Sequence, residues 1–271
     1  MKNSKEYTKK ISALYQSLKR KGYKFPELEV KSVVDSLIYG IISEKLTEKE
    51  TEAAIKRFDD YFVDFNDLRV SRLEEIAELL GEDNSQNRQI ALTITKVLNS
   101  IYNESHNVSL EGIQKLGKRP ARQKFEKMEE LSLFSIDYCM LTALDSHTIP
   151  LTETMLEYLR SNKLIDEGAD AKEAEGFLAK QISAKNGYEF YKLLRHESET
   201  TISRASSVKS VTSDKSRKSH TNKEKAAKTV KKAKTDSTDE IKKETISPVK
   251  KAKIVKKVKK ATTTSKTKRK K

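Results

Sequence analysis

Two carboxylates, Asp137 and Glu153, stand on either side of the polar turn Asp145-Ser146-His147 in the stretch Leu131 to Leu159 (LSLFSIDYCMLTALDSHTIPLTETMLEYL). Together they would form an acid pair; taken singly, each reads as a solvated carboxylate on a helix face. His147 has the chemistry of a base or a ligand, and its place in the turn before Ile149 reads as a surface loop. Thr152 follows Pro150 and Leu151, where a hydroxyl most simply caps the next helix. Cys139 lies among Ile136, Met140 and Ala143 and reads as a buried, inert thiol. No glycine-rich phosphate loop, metal-ligand cluster or Ser/His/Asp arrangement accompanies these residues.

The remaining chemistry is cationic. Lys115, Lys118, Arg119, Arg122 and Lys124 place five cations within ten residues just before the apolar stretch. They suit contacts to phosphates, and equally a solvated loop. Beyond residue 200 the composition changes: residues 200–271 hold 25 Lys+Arg against 6 Asp+Glu, leaving 30 against 34 in the rest of the chain. The formal charge of +15 therefore describes a slightly acidic body with a strongly basic tail. The tail repeats KKA-type blocks, with Lys231, Lys232, Lys250, Lys251, Lys256, Lys257, Lys259, Lys260, Lys268, Arg269, Lys270 and Lys271 in clusters. It has no glycine and no aromatic residue, so it cannot bury enough apolar surface to offset its ordering entropy and is expected to be disordered. Such a tail suits non-specific binding to double-stranded DNA through counterion release. A scaffold that binds acidic proteins is the alternative.

The elements that would position these residues are helical. Apolar residues recur at helical spacing over Tyr7–Lys21, Val30–Ile42, Thr47–Phe62, Ser85–Tyr102 and Ser109–Leu116, and again over Asp170–Gln181 and Tyr188–Arg195. Thr47 with Glu50, and Ser71 with Glu74, have the spacing of capping boxes. Asp64 to Asp67 reads as a turn, and Gly117 to Pro120 as a break. No window alternates apolar and polar residues, so the fold class is all-α, about ten helices in an antiparallel bundle-like packing. Tyr39, Phe58, Phe62, Phe125, Phe134, Tyr138, Phe190 and Tyr191 sit at helical spacing and read as core. Expected divisions are an N-terminal helix and connector (1–27), a helical domain (28–199) and the tail (200–271). One cysteine excludes a disulfide or a four-cysteine cluster within the chain. MKNSKEYTKK has no apolar run and no stretch reaches about 18 apolar residues, so a cytoplasmic, nucleoid-associated protein without a membrane span is expected.

The order of these pieces resembles the helix-hairpin-helix base-excision repair superfamily, the endonuclease III-like DNA glycosylases. The resemblance rests on SLIYGIISEKLTEKETEAAIKRF (Ser36 to Phe58), LEEIAELLG (Leu73 to Gly81), LSLFSIDYCMLTAL, IPLTETMLEYL and EAEGFLAKQISAKNGYEFYKLLRH, and spans about residues 28 to 196. It implies a helix-hairpin-helix glycosylase-like fold. The chain departs from the family where chemistry would sit. Leu133 and Ser135 replace the hairpin glycines, Asp137 falls at the Schiff-base lysine, Thr152 falls at the essential aspartate, and the cluster-binding cysteines are absent. A hydroxyl cannot supply the aspartate's negative charge. The resemblance thus implies a DNA-binding, non-catalytic member without an iron–sulfur cluster or other cofactor. An active glycosylase with a relocated carboxylate, Glu153 first and Asp137 second, is the competing expectation.

Overall fold

The computed structural model describes residues 4–25, 32–128 and 130–217, and the clustered cations from Lys231 to Lys271 lie outside these described residues. Among the described residues there are twelve α-helices, one short 3-10 turn and no strand.

Capping chemistry sets most helix starts. After α1 (Ser4–Arg20), Ser32 accepts the Asp35 N–H and opens α2 (Val33–Ser43). Thr47 and Glu50 make the expected reciprocal box at α3 (Glu48–Tyr61). The expected turn at Asp64 is instead an N-cap, and Phe65–Val70 forms the short helix α4. The second expected box falls one residue later. Ser71 donates its hydroxyl to the Asp67 carbonyl, while the Glu75 carboxylate takes the Arg72 N–H at the start of α5 (Leu73–Leu80). Gly81 stops that helix with φ +142°, a conformation L side chains resist. Asn84 caps α6 (Ser85–Ser105). Then come α7 (Glu111–Lys115) and α8 (Lys118–Glu126), where the expected break is a helix with Pro120 tolerated in its first turn. Ser132, Thr152 and Asp170 cap α9 (Leu133–Thr142), α10 (Glu153–Ser161) and α11 (Ala171–Gln181). The last helix, α12 (Gly187–Arg217), runs past the compositional change at residue 200.

These helices bury two apolar cores. One gathers α2, α5, α6 and their neighbours around Leu37, Ile76, Ile94 and Phe125. The other gathers α1, α10, α11 and α12 around Ile11, Leu159, Leu178 and Phe190. Helix α9 serves both: Ile136, Cys139 and Met140 enter the first core, and Phe134, Tyr138 and Leu141 the second. Its near-complete burial follows from apolar residues turned toward both cores, and it carries Ser135, Asp137 and Thr142 inside with them.

Helix α2 lies against α9 so closely that a Cβ at Gly40 would stand 3.2 Å from both the Cα and the carbonyl oxygen of Ser135. Just beyond Gly40, at the C-terminal end of α2, Arg195 of α12 donates to the carbonyls of Ser43 (2.7 Å) and Leu46 (2.6 Å), satisfying the helix end. Gly40→Leu should cost about 2 to 3 kcal/mol, because backbone faces it and cannot step aside as a side chain would. Chemical denaturation checks this, and an unchanged midpoint would contradict the close approach of α2 and α9.

Candidate functional site

The residues singled out for chemistry do not converge. Asp137, expected in solvent, is buried with its side chain 2% exposed, and Arg122 Nη1 donates to its Oδ1 at 2.7 Å. Burial pushes its carboxyl up to about 6 against the opposing pull of the Arg122 guanidinium. The expectation failed because α9 has no solvent-facing side here, and the compensating cation sits on a segment read as a loop. Glu153 is 80% exposed at the start of α10 and pairs with Arg160 at 3.2 Å. It therefore does not meet Asp137's partner or share its surroundings. Thr152 Oγ1 accepts the Met155 N–H at 3.3 Å, the cap expected of it. His147 Nε2 lies 2.8 Å from the Ile182 carbonyl oxygen. The Cys139 thiol is buried against the Val33 carbonyl oxygen (3.7 Å), and burial pushes it up to about 12.

The basic run from Lys115 to Lys124 is divided in the same way. Arg122 is shared between Asp137 and Glu126, Lys124 pairs with Glu104 at 2.7 Å, and Lys118 donates to the Asp145 carbonyl oxygen. Lys115 and Arg119 are exposed on the α7–α8 surface. Three of the five side chains thus tie α8 to its neighbours, and two face solvent.

A cleft of about 1020 Å³ opens elsewhere, between α2, α3 and α4 on one side and α9 and α12 on the other. The sequence reading missed it because four of its aromatic walls, Tyr39, Phe58, Phe62 and Tyr138, read as core; Phe65 and Tyr188 complete the lining. Tyr39 and Tyr138 stack in it with ring centroids 5.0 Å apart and planes 12° from parallel. The Tyr39 hydroxyl donates to Glu48 at 2.8 Å, and Lys192 of α12 pairs with the same carboxylate. Burial first, then the charge of Glu48, pushes both Tyr39 and Tyr188 up, the latter to about 12.

The α9 residues lining the cleft are Tyr138 and Thr142, four apart and so on one helical face. Phe134 lies one turn earlier on that face, packed near Tyr138 at a centroid distance of 6.2 Å. Asp137 is rotated about 100° from Tyr138. It faces α8, away from the cleft, so the register that set it at the family's lysine assigns it to a face that does not look into the cleft. Among the described residues no group of three or more His, Cys, Asp or Glu could hold a metal ion. No described helix is long and apolar enough to cross a membrane.

No family model and no curated protein matches the chain by sequence. Solved structures do match by shape. An endonuclease III–DNA covalent intermediate superposes at TM-score 0.55 with 15% identity, covering 69% of this chain and 84% of that one. The H. pylori 3-methyladenine DNA glycosylase (MagIII) bound to 1,N6-ethenoadenine gives 0.54 with 15% identity, over 73% and 98%. A thermostable thymine-DNA glycosylase gives 0.52 with 14% identity, over 72% and 87%. The chain has the fold of the endonuclease III-like helix-hairpin-helix DNA glycosylases.

The Asp137–Arg122 pair makes a prediction with a definite sign. Below pH 4 the carboxyl is protonated in both folded and unfolded chains, since its unfolded value is about 3.9. Between about pH 4 and 6 the folded protein keeps a proton that the unfolded chain releases, so this group's contribution to stability falls as pH rises. Wild type should lose on the order of 2 kcal/mol relative to Asp137→Asn between pH 4 and 7. Arg122→Met, which strands the carboxylate, should cost about 3 kcal/mol at pH 7 and much less at pH 4. Urea denaturation across that range checks both, and a flat difference between wild type and Asp137→Asn would refute ionisation inside the fold.

Proposed function

We propose that this protein binds DNA through a glycosylase-type fold that does not carry base-excision chemistry, and that the lysines past residue 200 hold it on the duplex non-specifically. The observation that carries the reading is the cleft-facing side of α9, which offers Tyr138 and Thr142 and neither an amine nor a carboxylate. The residues that fall at the family's aspartate and lysine positions are committed elsewhere. Thr152 spends its hydroxyl on its own helix start, and Asp137 is neutralised by Arg122. Glu153 lies in solvent beside Arg160, with no apolar surroundings to hold it as an acid.

The association with DNA is supported by two independent facts. Several structures of similar shape are complexes with DNA, among them the endonuclease III structures. The C-terminal segment carries 25 Lys+Arg against 6 Asp+Glu, enough cations for many phosphate contacts, whereas the rest of the chain is slightly acidic. Lys115 and Arg119 are exposed members of the body's basic run and would add to those contacts. Nothing here fixes side chains against base edges, so the contacts are to the backbone.

Fluorescence anisotropy with a plain duplex tests the binding. Affinity should fall at least about tenfold between 50 and 200 mM salt, and a chain ending at Arg217 should lose about tenfold or more at constant salt. Equal binding by the shortened chain would remove the tail from the mechanism. A panel of duplexes carrying damaged bases should release no base. Release that Glu153→Gln abolishes would establish the enzyme instead.

A further inference from the structure

The charge around the cleft is opposite to what a phosphate-binding groove needs. Its lining residues include Asp35 of α2, Glu52 and Asp59 of α3, and Asp64 at the α3–α4 corner. The single cation among the described lining residues, Lys192, is already paired with Glu48. Negative charge reaches the interior too: after burial, the charges of Glu48 and Glu52 are among the causes that push the Tyr188 phenol up. A DNA phosphate entering here would meet repulsion. An ammonium or guanidinium group would meet carboxylates at the rim and the stacked faces of Tyr39 and Tyr138 inside, both favourable to a cation.

The same rim is unusually apolar. Val63 is 91% exposed and lines the mouth of the cleft, and Tyr61, 57% exposed, is edge-on to Phe62 in the cleft wall. A lone exposed aliphatic residue needs no explanation, but these two flank a preformed aromatic cavity. At about 1020 Å³ the cleft is larger than one side chain fills and matches several residues of an extended chain.

We infer that this cleft is a docking groove for a basic segment of a partner protein, in which lysines alternate with aliphatic residues. The aliphatic side chains seat on Val63, Phe62 and Ile55, and the ammonium groups pair with Glu52, Asp59 and Asp64 at the rim. Charge complementarity selects this occupant over nucleic acid. The lining residues all precede residue 200, and the chain's own KIVKKVKK at residues 253–260 shares the occupant's chemistry and would compete with it for the groove.

The test uses the full chain, beside the chain ending at Arg217 that lacks the similar KIVKKVKK of residues 253–260, and a fluorescein-labelled synthetic peptide of sequence KKIVKKVK. The outcomes are read on the shorter chain, which should bind at least as tightly. Glu52 and Val63 are both exposed, so Glu52→Lys and Val63→Ser should melt as the wild type does. Saturable binding is expected, weakened about fivefold or more by each variant and weakened further by salt. A peptide with glutamate in place of every lysine should not bind. The inference is overturned by any of four results: no saturable binding, an unchanged Kd in both variants, equal binding of the glutamate peptide, or displacement of the labelled peptide by adenosine monophosphate.

Discussion

Everything in this structure depends on a helix that has no outside. Helix α9 lends one face to each of two apolar cores, and the α2 backbone presses on it at Gly40. A helix so placed must be apolar all round, or must carry its polar groups with their partners. Asp137 is the one carboxylate on α9, and it is held inside by the Arg122 guanidinium from α8. Desolvation still outweighs that partner, so the pair ties α8 and α9 together without making the carboxylate comfortable. Asp137 is not among the residues that line the cleft.

The second constraint is the bracket that α12 places around the α2–α3 turn. Arg195 closes the carbonyl end of α2, and Glu199 receives both the Arg195 guanidinium and the Glu48 N–H that opens α3 (3.2 Å). Glu48 in turn accepts from Tyr39 and pairs with Lys192. This chain of hydrogen bonds runs along one wall of the cleft and fixes the Tyr39 ring against Tyr138. The aromatic floor of the cleft is thereby tied to both α3 and α12.

Local signals in the sequence were legible where a single side chain decides the outcome. The Thr47–Glu50 box, the Thr152 cap and the stop at Gly81 depend on residues three or four apart, and all form as read. The Ser71–Glu74 box failed by one residue, because the Ser71 hydroxyl found the Asp67 carbonyl and left Glu75 to cap from Arg72. Helix α4 was too short for periodicity to reveal, at six residues. Asp137 was illegible for a different reason: its burial follows from two cores meeting, and its partner is fifteen residues away on a helix read as a loop. The cleft was hidden by a sound rule. Aromatic residues at helical spacing are core, and Tyr39, Phe58 and Tyr138 are indeed largely buried, yet together they also wall a cavity.

The fold and the charge then point in different directions, and the charge decides. A glycosylase-type architecture places a cleft between two helical cores, and the resemblance alone would make that cleft a base pocket. In this chain the cleft's rim carries carboxylates and an exposed valine, while cations are concentrated past residue 200. Coulomb attraction to a polyanion grows with the number of cations that can reach phosphates, and it is weakened by every carboxylate at the contact. The described cleft is lined by carboxylates, and the excess of cations in the sequence falls past residue 200, so the charge that the proposed DNA contacts need is not the charge that the cleft supplies.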